Sequence, residues 1–434
     1  MQKEVVVVGG GISGIQASLD LANRGFKVYL VEKSPCIGGR MAQLDKTFPT
    51  MDCSMCILAP KMIECAHHPN IQLLTYSELK EIKGSVGNFK VKILKKPRYV
   101  DEKKCTGCGI CAENCPAEAP NEFDENIGIR KAIYMPFPQA VPRLMVIDKD
   151  NCVECGLCDK VCPANAVDRE QKPEEIKLDV GAIVVATGFD MFDPSAIPQY
   201  GYHRFKNVVT AMELERLLCA SGPTEGHLIR PSDGKIPRDI AFIQCVGSRD
   251  RREWIDHSYC SSICCKYAVK DAVLIKEHEP NSRIVIFYID MRAFGKGFQE
   301  FVNRAKSEFG IEFIRSSPGE ITEDPTSNNL AIYFEDPITR TVQKFSFDLV
   351  VLCPALIPRE GVKELAKILN IELDNYGFLK SEDPVKKPLD TKVPGIFACG
   401  YCLGPKTGDI PDSITQGSAT ATRVAVVLSL KEAS

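Results

Sequence analysis

Two cysteine runs constrain this chain more than any other feature. Cys105, Cys108 and Cys111 follow one another at two-residue gaps, Cys115 comes three residues further on, and Pro116 trails it. Cys152, Cys155, Cys158, Cys162 and Pro163 repeat the pattern. In such runs three close cysteines wrap one [4Fe–4S] cluster and the fourth reaches the other cluster. The expected ligand sets are therefore Cys105, Cys108 and Cys111 with Cys162, and Cys152, Cys155 and Cys158 with Cys115. Soft thiolates match iron. Zinc sites do not use repeated four-cysteine runs with a trailing proline.

At 434 residues the chain has room for about three domains. With 44% hydrophobic and 26% charged residues it has an ordinary globular composition. A net charge of −3 carries no basic excess that would point to nucleic acid. An oxidised secreted protein could also hold 20 cysteines, but Met1 to Glu4 leads straight into Val5 and a glycine turn without a cleavage site. No apolar run approaches the roughly 18 residues of a membrane span, and residues 424–430 end within two turns. The expectation is a cytoplasmic metalloprotein with reduced thiols and no membrane segment of its own.

The N-terminus reads as a dinucleotide-binding unit. Residues 5–8 form a buried strand, and Gly9, Gly11 and Gly14 occupy the three positions of G-x-G-x-x-G, with Ser13 inside the loop. A helix follows to Asn23, and residues 26–32 make a second strand ending in Glu32, with Lys33 the next cofactor-binding candidate. The first glycine allows the tight turn, the second admits a pyrophosphate, and the third lets helix and strand pack closely. The helix N-terminus offers N–H groups to phosphate. Glu32, 18 residues after Gly14, can accept from ribose hydroxyls. A glycine turn in a plain α/β core is the bland alternative, and the surrounding strand, helix and acid weigh against it.

Two later segments favour FAD over NAD. Residues 180–188, ending in Ala186-Thr187-Gly188, resemble the strand and A-T-G turn that flavoprotein disulfide reductases place near FAD. Residues 393–400, ending in Gly400, resemble their second FAD motif. That motif normally continues with an aspartate; here Tyr401 follows, and Asp409 or Asp412 is the candidate substitute. The cysteine block, about 97–171, interrupts the flavin part, which takes residues 1–96 and 172–238. A central segment spans 239–350, and 351–434 returns to the flavin domain. The long connection 121–142 reads as a surface loop or an added strand pair.

Residues 240–244 form a strand where a pyridine-nucleotide domain would begin, but no second glycine loop follows. Instead come Cys245, Cys260, Cys264 and Cys265, four thiols within 21 residues. Cys260 and Cys264 share a helical face. Convergence on a cluster and burial as small hydrophobes are evenly matched on spacing alone. Cys36, Cys53, Cys56 and Cys65, and the C-x2-C pair Cys399 and Cys402, leave redox, ligand and core roles open; Cys219 and Cys353 read as core. The six histidines show no ligand spacing.

Together these features resemble the flavin subunits (A subunits) of the heterodisulfide reductase family. The resemblance rests on residues 36–50 (Cys36-Ile37-Gly38-Gly39-Arg40-Met41 onward), on Asp52-Cys53-Ser54-Met55-Cys56, on Cys245-Val246-Gly247-Ser248-Arg249-Asp250 with Cys260, Cys264 and Cys265, and on Gly404-Pro405-Lys406 with Asp409-Ile410-Pro411-Asp412. It covers nearly the whole chain. It implies a Rossmann-like, thioredoxin-reductase-like α/β FAD fold with an inserted two-[4Fe–4S] ferredoxin domain (α+β). It places Gly39, Arg40, Met41, Asp409 and Ile410 at the cofactor and Lys406 near the flavin, where a cation stabilises an anionic reduced ring. It implies that Cys245, Cys260, Cys264 and Cys265 bind a third [4Fe–4S] cluster. The implied activity is electron relay between FAD, clusters and partner subunits, as a dimer within a larger complex. Those partners are B and C subunits, or subunits of the quinone-interacting oxidoreductase of sulfate reducers. Flavin-based bifurcation is one form that activity takes. The long archaeal form has an N-terminal extension and a C-terminal ferredoxin domain that this chain is expected to lack, which bears against bifurcation. The alternatives are a self-contained NAD(P)H-oxidising enzyme of the glutamate synthase small-subunit kind, which the missing glycine loop opposes, and a scaffold protein.

Overall fold

The N-terminal valines form the strand Glu4–Val8, buried on both faces as β-branched residues favour. The computed structural model describes residues 3–405 and 409–432. The chain divides into two units, Met1–Ala42 with Met55–Phe189 and Pro358–Ser434, and Gln43–Ser54 with Asp190–Ile357.

The first unit carries a five-stranded parallel sheet in the order Ile396–Ala398, Ala182–Val185, Glu4–Val8, Lys27–Glu32, Ile71–Thr75. Helix Ile12–Asn23 makes the crossover between the two N-terminal strands, and Gly25, at φ 85°, closes its C-terminus. Helix Ile410–Glu432 packs along it. A three-stranded antiparallel sheet sets Asn88–Lys95 between Ser77–Ser85 and Glu174–Val180. Lys95 lies opposite Glu174. The cysteine-rich insert therefore leaves and re-enters at two neighbouring strand ends, which leaves the sheet intact.

The insert repeats itself as its sequence does. Helices Ile110–Glu113 and Leu157–Val161 each start behind a left-handed glycine, Gly109 (φ 87°) and Gly156 (φ 71°), lying between the second and third cysteine of each run. Its small core holds Val100, Cys111, Ile133, Met145, Ile147, Cys158 and Ala166. Residues 121–142 are not a plain surface loop. The strand Ile129–Lys131 pairs with Glu118–Pro120, and Phe137 and Ala140 are buried in the core of the flavin unit beside Ile37 and Met62.

The second unit repeats the topology of the first. Its parallel sheet runs Val208–Thr210, Leu349–Pro354, Asp239–Val246, Arg283–Phe287, Glu312–Ile314, with helix Cys264–His278 as the crossover. An antiparallel sheet of Glu320–Glu323, Leu330–Glu335 and Val342–Phe347 accompanies it. Because Val208–Thr210 is an edge strand here, residues 190–238 go with this unit, although the sequence segmentation put them in the flavin part. Residues 43–54 join it through Phe48, edge-on to Phe298 (4.7 Å) and Phe301 (5.0 Å).

Candidate flavin and iron–sulfur sites

The glycine loop has the shape its spacing predicts. A Cβ on Gly14 would run into the Gly9 carbonyl, and one on Gly9, at φ 112°, would strike the Ala186 carbonyl. Gly11 has nothing nearer its Cβ position than the Gly39 Cα at 4.0 Å, so one face stays open for a phosphate. Ser13 is buried in the first turn of the helix. Glu32 is held by two backbone donors, Gly10 N–H to Oε2 (2.6 Å) and Ser34 N–H to Oε1 (2.8 Å). Thr187, in the turn after Ala182–Val185 and before Gly188 (φ 72°), has a buried hydroxyl without a partner. Such a group costs about 1–3 kcal/mol until something bonds it. The open cradle and this orphaned hydroxyl fit a bound dinucleotide.

The other expected cofactor residues are spread around this loop. Gly39 (φ 58°) lies against Gly11, and Arg40 pairs with Glu125 of the insert at 2.6 Å. Met41 is buried in the core, whereas Lys33 is exposed. Gly400 packs on Ser13, and its N–H donates to Gln416 Oε1 (2.7 Å). Tyr401, where the motif usually has an acid, is buried edge-on to Phe189 at 5.0 Å. Asp409 Oδ1 accepts the Asp412 N–H (2.9 Å) and so caps the C-terminal helix, in whose first turn Ile410 packs on the core. Lys406 lies outside the described residues.

In the insert, Cys115 lines one cavity together with Cys152, Cys155 and Cys158. Cys105, Cys162 and Cys108 neighbour Cys111, and burial above all pushes the Cys111 thiol up to about 12. The fourth cysteine of each run thus faces the other run. Among the described residues no three His, Cys, Asp or Glu could chelate a single metal ion; the thiols line a cavity instead. Arg169, which sequence reasoning missed, donates from Nη2 to Cys158 Sγ at 3.2 Å and also bonds Cys152. Nothing in its spacing from the runs marks it.

The second unit brings Cys245, Cys260, Cys264 and Cys265 into one neighbourhood. Cys245 is the next-to-last residue of the strand Asp239–Val246, while Cys264 and Cys265 open the helix Cys264–His278. Cys264 is hydrogen-bonded to the Cys245 thiol, and that contact, followed by burial, pushes it well above the usual thiol range. Cys265 is raised to about 12 by burial, with Cys264 and Cys260 adding to it, and its sulfur accepts the Arg292 N–H at 3.3 Å. Cys245 and Ser262 are left-handed (φ 62° and 61°). For a non-glycine residue that conformation costs about 1–2 kcal/mol.

The remaining cysteines separate cleanly. Cys53 and Cys56 are disulfide-bonded. Cys36 and Cys65 are core residues raised to about 12, chiefly by burial, and Cys399 and Cys402 are buried and likewise raised. Cys353 is core, but Cys219 is only half-buried, its sulfur 3.3 Å from Ser221 Oγ.

Comparison with known proteins agrees with this geometry. The family model for FAD dependent oxidoreductases matches residues 4–52, and the 4Fe-4S dicluster domain matches residues 104–167. The chain is 56% identical over 427 residues to an iron-sulfur A subunit of the CoB–CoM heterodisulfide reductase of Methanopyrus kandleri, covering 98% of this chain and 64% of that protein. It is 53% identical to the A subunit of the H2:CoB–CoM heterodisulfide,ferredoxin reductase of Methanothermobacter marburgensis, over 98% of this chain and 63% of the relative. Over nearly its whole length the chain is similar to heterodisulfide reductase A subunits. It spans a little under two thirds of the length of these relatives. FAD and iron–sulfur clusters are the family cofactors that its two domain matches assign to it. Lactococcus lactis thioredoxin reductase (FR conformation) shares the fold, with a TM-score of 0.55 at 15% identity over 98% of each chain. No helix among the described residues is long and apolar enough to cross a membrane.

Proposed function

We propose that the chain is the electron-transfer flavin and iron–sulfur subunit of a heterodisulfide-reductase-like complex, an oxidoreductase subunit relaying electrons between FAD, [4Fe–4S] clusters and partner subunits. The observation that carries this is the splice: the cysteine-rich module sits inside the flavin unit and is hydrogen-bonded to its cradle, Ile37 N–H donating to Val141 O at 2.8 Å. FAD, when bound, trades electrons singly or in pairs, and clusters trade them singly. Gly9, Gly11, Gly14, Glu32 and Thr187 would hold the dinucleotide. Cys105, Cys108, Cys111 and Cys162 would hold one cluster, and Cys152, Cys155, Cys158 and Cys115 the other.

A third cluster belongs to Cys245, Cys260, Cys264 and Cys265. In the first unit the corresponding strand-to-helix turn is the glycine loop; in the second it is a longer connection flanked by Cys245 on the strand and Cys264 on the helix. This turn lacks a phosphate cradle, so electrons enter or leave through partners. On family grounds these are B- and C-type subunits or quinone-interacting oxidoreductase subunits. Anaerobic iron and FAD analysis tests the reading, three clusters giving about 12 irons per FAD and two giving about 8. Rapid flavin bleaching by NADH or NADPH alone would overturn it in favour of a self-contained enzyme.

A further inference from the structure

Four contacts tie the insert to the loop that shapes the flavin cradle. Arg98 is 2% exposed. It donates to the Pro35 carbonyl, to Thr75 Oγ1 at 2.6 Å and to Glu102 Oε1 at 3.0 Å. The Ile37 N–H bonds Val141 O, Glu125 pairs with Arg40, and Phe137, stacked on Phe123 at 4.6 Å, fills the space beside Gly38. Residues 35–40 in turn hold the glycine loop, because the Gly38 N–H donates to Gly10 O at 2.8 Å. On its other side Arg98 belongs to the cluster module, its carbonyl accepting the Ile147 N–H at 3.0 Å. That module has a core of seven buried residues, two of them cysteines of the runs. So small a core depends on its metal for folding.

We propose that the ferredoxin insert is a structural part of the FAD site, with Arg98 and Glu125 as positioning residues that link FAD affinity to cluster occupancy. Filled clusters fix the insert. The fixed insert holds Pro35, Ile37 and Arg40, and these keep the Gly9–Gly14 turn open to pyrophosphate. The linkage runs both ways, as any coupling between two binding equilibria must. It rests on FAD occupying the glycine loop.

The test measures FAD dissociation constants on the full chain, cluster-loaded and cluster-stripped, for wild type, Arg98→Met, Arg98→Lys and Glu125→Gln, with iron content and melting temperature recorded alongside. Stripping the clusters is expected to weaken FAD binding on the order of tenfold in wild type. Arg98→Met should lose about as much with its iron retained, Arg98→Lys less, and stripping should add little in Arg98→Met because the link is already cut. A dissociation constant that ignores cluster removal, or full affinity in Glu125→Gln and Arg98→Met, would overturn the proposal. If Arg98→Met does not fold, the half-buried Glu125→Gln and the stripped wild type decide. Wild-type protein with clusters but no FAD affinity would instead overturn the assignment of FAD to the loop.

Discussion

Arg169 offers the sharpest handle on one cluster alone. Its guanidinium bonds two cysteines of the second run, Cys158 at 3.2 Å and Cys152, and its side chain is 22% exposed. A positive charge there stabilises the more negative, reduced cluster. For an electron about 5 Å away at an effective dielectric of about 20, the attraction is roughly 3 kcal/mol. Asp159, 2.9 Å from Nε, cancels part of it, and solvent screens more, leaving roughly 1–2 kcal/mol. Since ~1.4 kcal/mol corresponds to ~59 mV for one electron, Arg169→Met should lower that cluster's midpoint potential by about 40–80 mV. Asp159→Asn should raise it. The assay is an anaerobic potentiometric titration followed by EPR, run on wild type and both variants. An unchanged potential, or a shift confined to the other cluster, would refute the placement of Arg169 beside the cluster of the second run.

Three further outcomes follow from the same geometry. Cys115→Ala should remove the cluster of the second run and Cys162→Ala that of the first, each costing about four irons, with the surviving EPR signal telling the crossed pairing from an uncrossed one. Cys264→Ala should take a further four irons, from about 12 to about 8, and leave both ferredoxin-type signals in place; iron unchanged from wild type would return these thiols to the core. Gly14→Ala pushes a methyl group into the Gly9 carbonyl, an overpacking of roughly 1–3 kcal/mol. FAD per chain after desalting should fall at least tenfold, and retention of FAD would place the dinucleotide elsewhere.

What the sequence made legible was what depends on short spacing. The glycine turn and the strand after the insert are local patterns that the structure puts on the elements expected, and the cysteine runs, local too, each fold around a short helix. Contacts between distant segments were not legible. Residues 121–142 read as a surface loop or an added strand pair; the strand Ile129–Lys131 is there, but the polar stretches hide Phe137 and Ala140, whose burial depends on Ile37 a hundred residues upstream. Arg98 carries no local mark, since its partners Pro35 and Thr75 come from other elements. Asp409 was a candidate for the missing motif acid, yet its Oδ1 caps a helix. The segment 190–238 reads as part of the flavin domain but belongs to the second unit, because the three-residue strand Val208–Thr210 carries no periodic signal of its own and is defined by its partner Leu349–Pro354.

The repeated topology gives the proposed third cluster a place in the second unit. A parallel sheet with a strand–helix crossover presents a strand end and a helix N-terminus on the same side, whatever the turn between them contains. Between Glu4–Val8 and its helix the turn is three glycines long, and backbone N–H groups are all it can offer, which suits phosphate. Between Asp239–Val246 and Cys264–His278 the turn is long enough to return on itself, with Arg249 N–H bonded to Tyr259 O at 2.8 Å and Asp250 N–H to His257 O at 2.9 Å. That hairpin brings Cys260 back towards Cys245, while the helix start contributes Cys264 and Cys265. A phosphate-binding turn substituted there, deleting residues 248–261 and restoring a glycine loop, should abolish the extra four irons while leaving the sheet folded. If iron stayed at about 12 per FAD, the hairpin would be ornament and the cluster would have to lie elsewhere in the chain.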